Sequence, residues 1–344
     1  MRRLLMVFAI VGALSGCTQQ SDRAEQVAID TTTSKVPIEP MRPGGKGLSL
    51  RYSPPPMVLY CVAQQEDTLD TDSVHLRVRT ELFFTERIER VTPAGIIQMR
   101  FRYDSIRLVQ RYWETDSTRP SIVRYSSTDS TTQRDPQFEM LAAAIGEEIQ
   151  VMVSSKGTIE EISGVAGIVR RLLGRTVDSL DVQQRQIVDE QIKRELFGNV
   201  VVQQFLVLPS EPLDSTLRWS RTVEQEFPPL FTAQATATYV LHGVERRAGD
   251  SLLHIRASLD GAIGLQPQAK RAGVVIRQGK VRGTASGIFS QRYGLMLRRQ
   301  NMIEYDLVAE ARQSANSSSH RVRQRKKTVY TFAVTAAAML SADR

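Results

Sequence analysis

Four histidines and two cysteines are the residues best suited to metal binding or nucleophilic chemistry, and their placement argues against both. His75, His242, His254 and His320 stand in separate segments, and no HExxH, CxxC or Asp-rich calcium loop gathers ligands onto one helix face or loop. No metal or other cofactor is therefore expected. His75 and His254 occupy the polar phase of alternating segments and are expected as solvated surface residues. The closest approach to a serine elbow, Gly283-Thr284-Ala285-Ser286-Gly287, lacks the central Ser of G-x-S-x-G and lies in a strand-like region without a following helix. Glu147-Glu148 and Glu160-Glu161 are chain neighbours that point to opposite faces of a strand, so neither pair can share a substrate as acid and base. With no catalytic residue assigned, the chain is expected not to be an enzyme.

The two cysteines have different surroundings. Cys61 lies within Met57-Val58-Leu59-Tyr60-Cys61-Val62 and reads as a small buried hydrophobe. Cys17 closes a leader: Met1-Arg2-Arg3 is a positive start, residues 4–13 form an apolar run, and Leu14-Ser15-Gly16-Cys17 follows. The run is too short to cross a bilayer, which needs ~20 apolar residues. A branched apolar residue, two small residues and a cysteine resemble the lipobox of bacterial lipoproteins. That resemblance implies lipidation of Cys17 and a mature chain beginning there, held in the membrane by several acyl chains. Thr18 at the next position, in place of Asp, implies sorting to the outer membrane. The predicted location is the cell envelope, with residues 1–16 as the signal peptide.

Hydrophobic residues make up 41% of the chain and charged residues 24%, which fits a globular body and not a disordered one. With Cys17 acylated, Cys61 has no cysteine left to pair with. The formal net charge is +8, and most of the 45 basic residues are arginine. An exported chain has little access to nucleic acid, so phosphate-bearing lipids or lipopolysaccharide are the expected polyanions, if the charges are more than solvated strand faces. The densest run is Arg321, Arg323, Arg325, Lys326 and Lys327. It is read as preceding the last strand and protecting a sheet edge, with docking of anionic headgroups as the alternative.

Residues 17–47 form an expected flexible tether, rich in Thr, Ser, Pro and Gly. At ~5–6 Å × √n it would hold the body on the order of 30 Å from the membrane. Period-two alternation then begins. Val74, Leu76, Val78 and Leu82 make one apolar phase, and Ile97, Met99, Phe101 and Tyr103 another, with Thr92-Pro93-Ala94-Gly95 as the hairpin connection. A third strand is placed over 108–113 and an exposed loop over 125–135. A helix is expected over 136–145, capped by Asp135 and with Phe138, Leu141 and Ala142 on its apolar face. Ile149, Val151 and Val153 face inward in a hairpin turning at Ser155-Lys156-Gly157. A second helical stretch covers 178–205, capped by Asp181, with Val188, Ile192 and Leu196 on one face and Leu208-Pro209 as its stop. Strands follow over 218–226, 233–244, 251–259, 273–291, 295–310 and 328–336. The fold class is mainly β (α+β): two antiparallel, curved β-meander halves, 48–206 and 207–344, with a helical segment between them. The halves stand as separate bodies or share one continuous sheet.

Three stretches resemble an uncharacterised family of bacterial lipoproteins: the hairpin from Gly146-Glu147-Glu148 through Ser155-Lys156-Gly157 to Ser163-Gly164; Leu208-Pro209 leading to Trp219; and Ser286-Gly287-Ile288-Phe289-Ser290-Gln291-Arg292-Tyr293-Gly294. Where such chains carry a Gly shortly before the Trp, this one has Leu213-Asp214-Ser215-Thr216. The resemblance implies a β-rich body with a helical middle, and no activity. A looser similarity to periplasmic lipoprotein carriers rests on fold analogy. The expected function is a membrane-anchored, non-enzymatic binding module for a hydrophobic ligand or another envelope component, with Trp113 or Trp219 lining an apolar pocket. A scaffold in an envelope complex is the alternative, and a hydrolase with a dispersed site is the more remote one.

Overall fold

The computed structural model describes residues 26–27, 38–40, 47–117, 119–227, 230–247, 249–311 and 320–340. The leader, Cys17 and most of the predicted tether lie outside them. In chain order the elements are β1 (Gln26–Val27), β2 (Met57–Thr71), β3 (Val74–Val91), β4 (Ile97–Glu114), β5 (Ser121–Ser126), α1 (Ser130–Gln133), α2 (Glu139–Ala144), β6 (Glu148–Val153), β7 (Ile159–Ser163), α3 (Ala166–Leu173), α4 (Val182–Ile192) and α5 (Asn199–Gln204). The second part of the chain holds β8 (Arg218–Phe227), β9 (Phe231–Arg247), β10 (Asp250–Leu265), α6 (Pro267–Arg271), β11 (Val274–Ser290), β12 (Leu295–Ala311) and β13 (His320–Met339).

All strands join one antiparallel sheet in the order β7-β6-β4-β3-β2-β13-β12-β11-β10-β9-β8, with β5 paired to β4 and β1 to β13. The strands on either side of Val207 thus share a continuous sheet, closed across by β2 against β13. Of the predicted tether, Gln26 and Val27 pair with Ala338 and Ala337, and Glu39 bridges Val244.

Alternation dictates which face is covered. Met57, Leu59, Cys61 and Ala63 on β2 and Leu82, Phe84, Glu86 and Ile88 on β3 turn to the face covered by the helices. Ile149, Val151 and Val153 do so from β6, as expected, and each contributes roughly 1.5–3 kcal/mol by leaving water. A smaller apolar cluster of Ala233, Ala235, Ile263, Val281, Leu307 and Ala309 occupies the far ends of β9–β12.

Several sequence expectations are corrected. The strand placed over 108–113 is the continuation of β4, because a bulge at Asp104 lets Phe84 pair with Tyr103 while Phe83 pairs with Ser105. The extra residue flips the phase, so Ser105 and Ile106 are both buried and the apolar positions become even-numbered. The 125–135 loop is instead the end of β5, a turn and α1; Tyr125 is buried with its ring centroid 4.9 Å from Phe138. The helix expected over 136–145 opens as a 3-10 turn, Pro136–Phe138, with Asp135 accepting from Gln137 N. In α2 Ala143 and Ala144 are buried, and Leu141 and Ala142 pack partly buried against the same core as Phe138. The 178–205 helix is broken by a π-helical turn at Lys193–Gly198. Asp181 caps α4 in a reciprocal capping box with Gln184, and Ile192 and Leu196 are buried.

The basic run lies inside β13 and does not precede it: from Gln324 onward it is paired on both sides, so Arg325, Lys326 and Lys327 protect no sheet edge, while Arg321 and Arg323 pair with β12 alone. Arg321, Arg323, Arg325 and Lys327 hold one phase of the alternation, and acids opposite them compensate much of the charge. Arg325 lies 3.7 Å from Asp306, Lys327 2.7 Å from Glu304, and Lys326, on the other phase, 3.6 Å from Asp67.

Candidate functional site

The residues most able to do chemistry are kept apart by the fold. Among the described residues no group of three or more His, Cys, Asp or Glu could hold a metal. His75 Nδ1 is 2.7 Å from Asp70 and its ring stacks on Trp113 at 5.4 Å. His254 is not the solvated residue expected from its phase: it is half-buried and bonded at 3.1 Å to Glu245, itself 4% exposed. Gly283 to Gly287 run through the middle of β11, with no turn to expose Ser286 as a nucleophile. Glu147 pairs with Arg171 and Glu148 with Arg100, while Glu160 and Glu161 are exposed on the edge strand β7.

The stretches that carry the family resemblance turn out to be structural. At the tip of the β6–β7 hairpin, Ser155 O accepts from Tyr52 N (2.8 Å) and Lys156 O from Leu208 N (2.8 Å). Tyr52 Oη donates to Leu206 O (3.1 Å) and accepts from Leu206 N (2.9 Å). Gly157 has φ +86, and a Cβ there would meet Leu206 O and Tyr52 at 2.7 Å, so only glycine fits this clasp. Trp219 is likewise consumed by packing: Nε1 donates to Val207 O (3.1 Å) and the ring stacks on Tyr239 at 5.1 Å. Near the third stretch, Ser290 Oγ donates to Asp250 (2.5 Å) and Gly294 O accepts from Ser53 N.

The helical segment is bonded to the covered face of the sheet. Arg299 donates to Phe205 O (2.5 Å) and Asn301 (3.1 Å), and Asn301 donates to Gln203 (2.8 Å), stitching the end of the helical segment to β12. Burial lowers the Arg299 pKa, with Tyr52, Tyr239 and Tyr330 acting in the opposite direction. The crevice beside Leu206, Tyr239 and Arg299 measures about 10 Å³, no more than one water requires. Glu86 lies within this covered layer, between Leu59 and Phe101 in register, with Cys61 Sγ 4.0 Å from its Oε2. Burial pushes the Glu86 carboxyl up to about 8, offset only in part by the Gln204 side chain. Burial also pushes the Cys61 thiol up, as do Glu86 and Asp104. These groups are enclosed in the core, without access for a substrate.

A cavity of about 490 Å³ opens on the opposite face, lined by β2, β3 and β4, where Arg77, Arg79, Arg107 and Arg111 stand among the acids Glu66, Asp67 and Glu81. Alternation sends Arg77 and Arg79 outward from β3, and the Asp104 bulge puts Arg107 and Arg111 on the same face of β4. Arg77 and Arg111 are direct cross-strand partners. Arg79 is neutralised by Glu81 (2.6 Å) and Glu66 (3.8 Å), but among the described residues Arg77, Arg107 and Arg111 form no ion pair. The Arg77 guanidinium instead lies 5.5 Å from the Trp113 ring, which His75 backs from Asp70. Trp113 therefore supports an arginine and does not line an apolar pocket. Arg107 lies directly opposite Glu81, so the guanidiniums left without a facing acid are those of Arg77 and Arg111, chemistry suited to phosphate or carboxylate. Sequence inspection passed over these arginines because a lone period-two phase does not disclose which strand lies alongside.

No curated protein matches the chain in sequence. Among solved structures, one of lipovitellin, described by its lipid–protein interactions, is similar at a TM-score of 0.44 and 10% identity, over 84% of this chain but only 26% of lipovitellin. The outer membrane protein OprG from Pseudomonas aeruginosa is similar at a TM-score of 0.22 and 4% identity, over 85% of this chain and 98% of OprG. Neither likeness bears on function. Residues 94–287, more than half of the chain and including β4, the hairpin clasp and Trp219, match DUF6263, a family of unknown function, and the chain belongs to that family.

Proposed function

We propose that this chain is a non-enzymatic binding module of the bacterial cell envelope, anchored in the outer membrane through lipid on Cys17, that captures an anionic envelope component in the β2–β4 groove. The observation that carries this reading is the cross-strand pair Arg77 and Arg111, which share one 490 Å³ cavity and form no ion pair among the described residues. Like charges directly opposite on an antiparallel ladder cost stability, and such local conflicts concentrate where a chain binds something. A hydrophobic ligand inside the fold has less support, since the crevice beside Leu206, Tyr239 and Arg299 is about 10 Å³. A hydrolase has less support too, because the displaced Glu86 carboxyl sits in the core away from the groove.

Isothermal titration of the full chain carrying Cys17→Ser with inorganic pyrophosphate tests the reading. Saturable binding that weakens at least tenfold in Arg77→Ala/Arg111→Ala, with thermal stability retained, is the expected result. No binding by the folded wild-type chain would overturn it.

A further inference from the structure

The groove is part of a broader surface. Across β5, β4, β3, β2 and β13 the register places Ile122, Arg111, Arg77, Thr68 and Lys327 in one row on the open face. One row along, Arg124 on β5 lies opposite Val109, beside Arg79. Toward β12 the positive charges are met by acids, as with Lys327 and Glu304 (2.7 Å). Toward β5 the compensation is thinner: Arg107 lies opposite Glu81, which Arg79 holds at 2.6 Å, and Arg77, Arg111 and Arg124 form no ion pair among the described residues. Two large apolar side chains are exposed on this same face, Phe83 at 38% and Ile122 at 44%.

We infer that the open face of β3–β5 docks on an anionic lipid surface, with the groove arginines taking phosphate headgroups and Phe83 and Ile122 entering the interface. This rests on the anion-binding reading of the groove and names its ligand. The size of the patch favours a surface over a single small anion. Arg107 and Arg111 are four residues apart, ~13 Å along the strand, and the arginines spread over three strands, ~10 Å across. That is room for several headgroups. A site for one free phosphate has no use for exposed apolar side chains beside its arginines, whereas basic residues mixed with exposed apolar ones are the composition that holds a protein at a membrane interface.

The test is sedimentation of the full chain carrying Cys17→Ser with vesicles of phosphatidylcholine, alone or mixed with phosphatidylglycerol. Adsorption to the neutral vesicles measures what the leader contributes by itself. The expected result is an excess on the anionic vesicles that falls as salt rises, drops roughly fivefold for each of Arg77→Ala and Arg111→Ala, and drops in Phe83→Ser/Ile122→Ser while pyrophosphate binding in that variant is unchanged. If anionic vesicles bind no better than neutral ones, or if Phe83→Ser/Ile122→Ser binds them like the wild type, and pyrophosphate still binds, the lipid inference falls and the groove stands. Loss of pyrophosphate binding in the wild-type chain would remove both.

Discussion

Arg77 on β3 and Arg111 on β4 face each other directly across an antiparallel ladder, and among the described residues neither has an acidic partner. A like-charge cross-strand pair is unfavourable by roughly 0.2–1 kcal/mol. Arg111→Thr therefore leaves the fold as stable as the wild type or more so by that amount in urea denaturation, while weakening pyrophosphate binding. A double-mutant cycle of Arg77→Thr and Arg111→Thr returns a repulsive coupling at low salt that shrinks as salt is added. A loss of several kcal/mol in either single variant would mean that the arginines serve the fold.

Glu86 makes stability fall as pH rises. Its folded pKa, about 8, exceeds the ordinary 4.5, so between those values the native state keeps a proton that the unfolded chain has released. The contribution is complete below pH 4.5 and is lost progressively up to about pH 8, amounting to about 5 kcal/mol at 1.36 kcal/mol per unit. Glu86→Gln, which cannot ionise, flattens that slope and is the more stable protein at pH 8. Denaturation midpoints measured from pH 5 to pH 8 in both chains check this, and parallel profiles would refute it.

The clasp at the β6–β7 tip is a stability element. Tyr52→Phe leaves the N–H and carbonyl of Leu206 without their buried partner and costs about 1–3 kcal/mol. Gly157→Ala adds a strained positive φ to a 2.7 Å clash with Leu206 O and is at least as damaging. Neither change alters pyrophosphate affinity at temperatures where the protein is folded, because the groove lies on the other face of the sheet.

Cys61 is sealed beside Glu86, and burial raises its thiol pKa, so little thiolate exists in the native state. Iodoacetamide labels it only after denaturation. Labelling of the folded protein at neutral pH would show that the layer around Glu86 opens.

Much of the local structure was legible from residue types. The caps at Asp135 and Asp181, the glycine turn at Gly157 and the inward phases of β3, the first half of β4 and β6 follow from side-chain chemistry and period-two alternation, which act over a few residues. Pairing over long separations was not legible. Nothing near Cys61 announces that Val334 will lie beside it, and Arg325, Lys326 and Lys327 look like an edge guard until β2 is found on one side and β12 on the other. Register is also cumulative. On β3 an extra residue at Glu89 and on β4 one at Asp104 shift the ladder in opposite senses; without the second, Arg77 would face Gln110 in place of Arg111. Alternation tells which face a side chain takes, but a bulge resets that phase at the energetic cost of one unpaired residue. The sequence by itself thus determined the two helix caps, the Gly157 turn and most of the long strands of this protein. Only the tertiary structure decided which arginines meet, because their meeting depends on the sum of every turn and bulge between them.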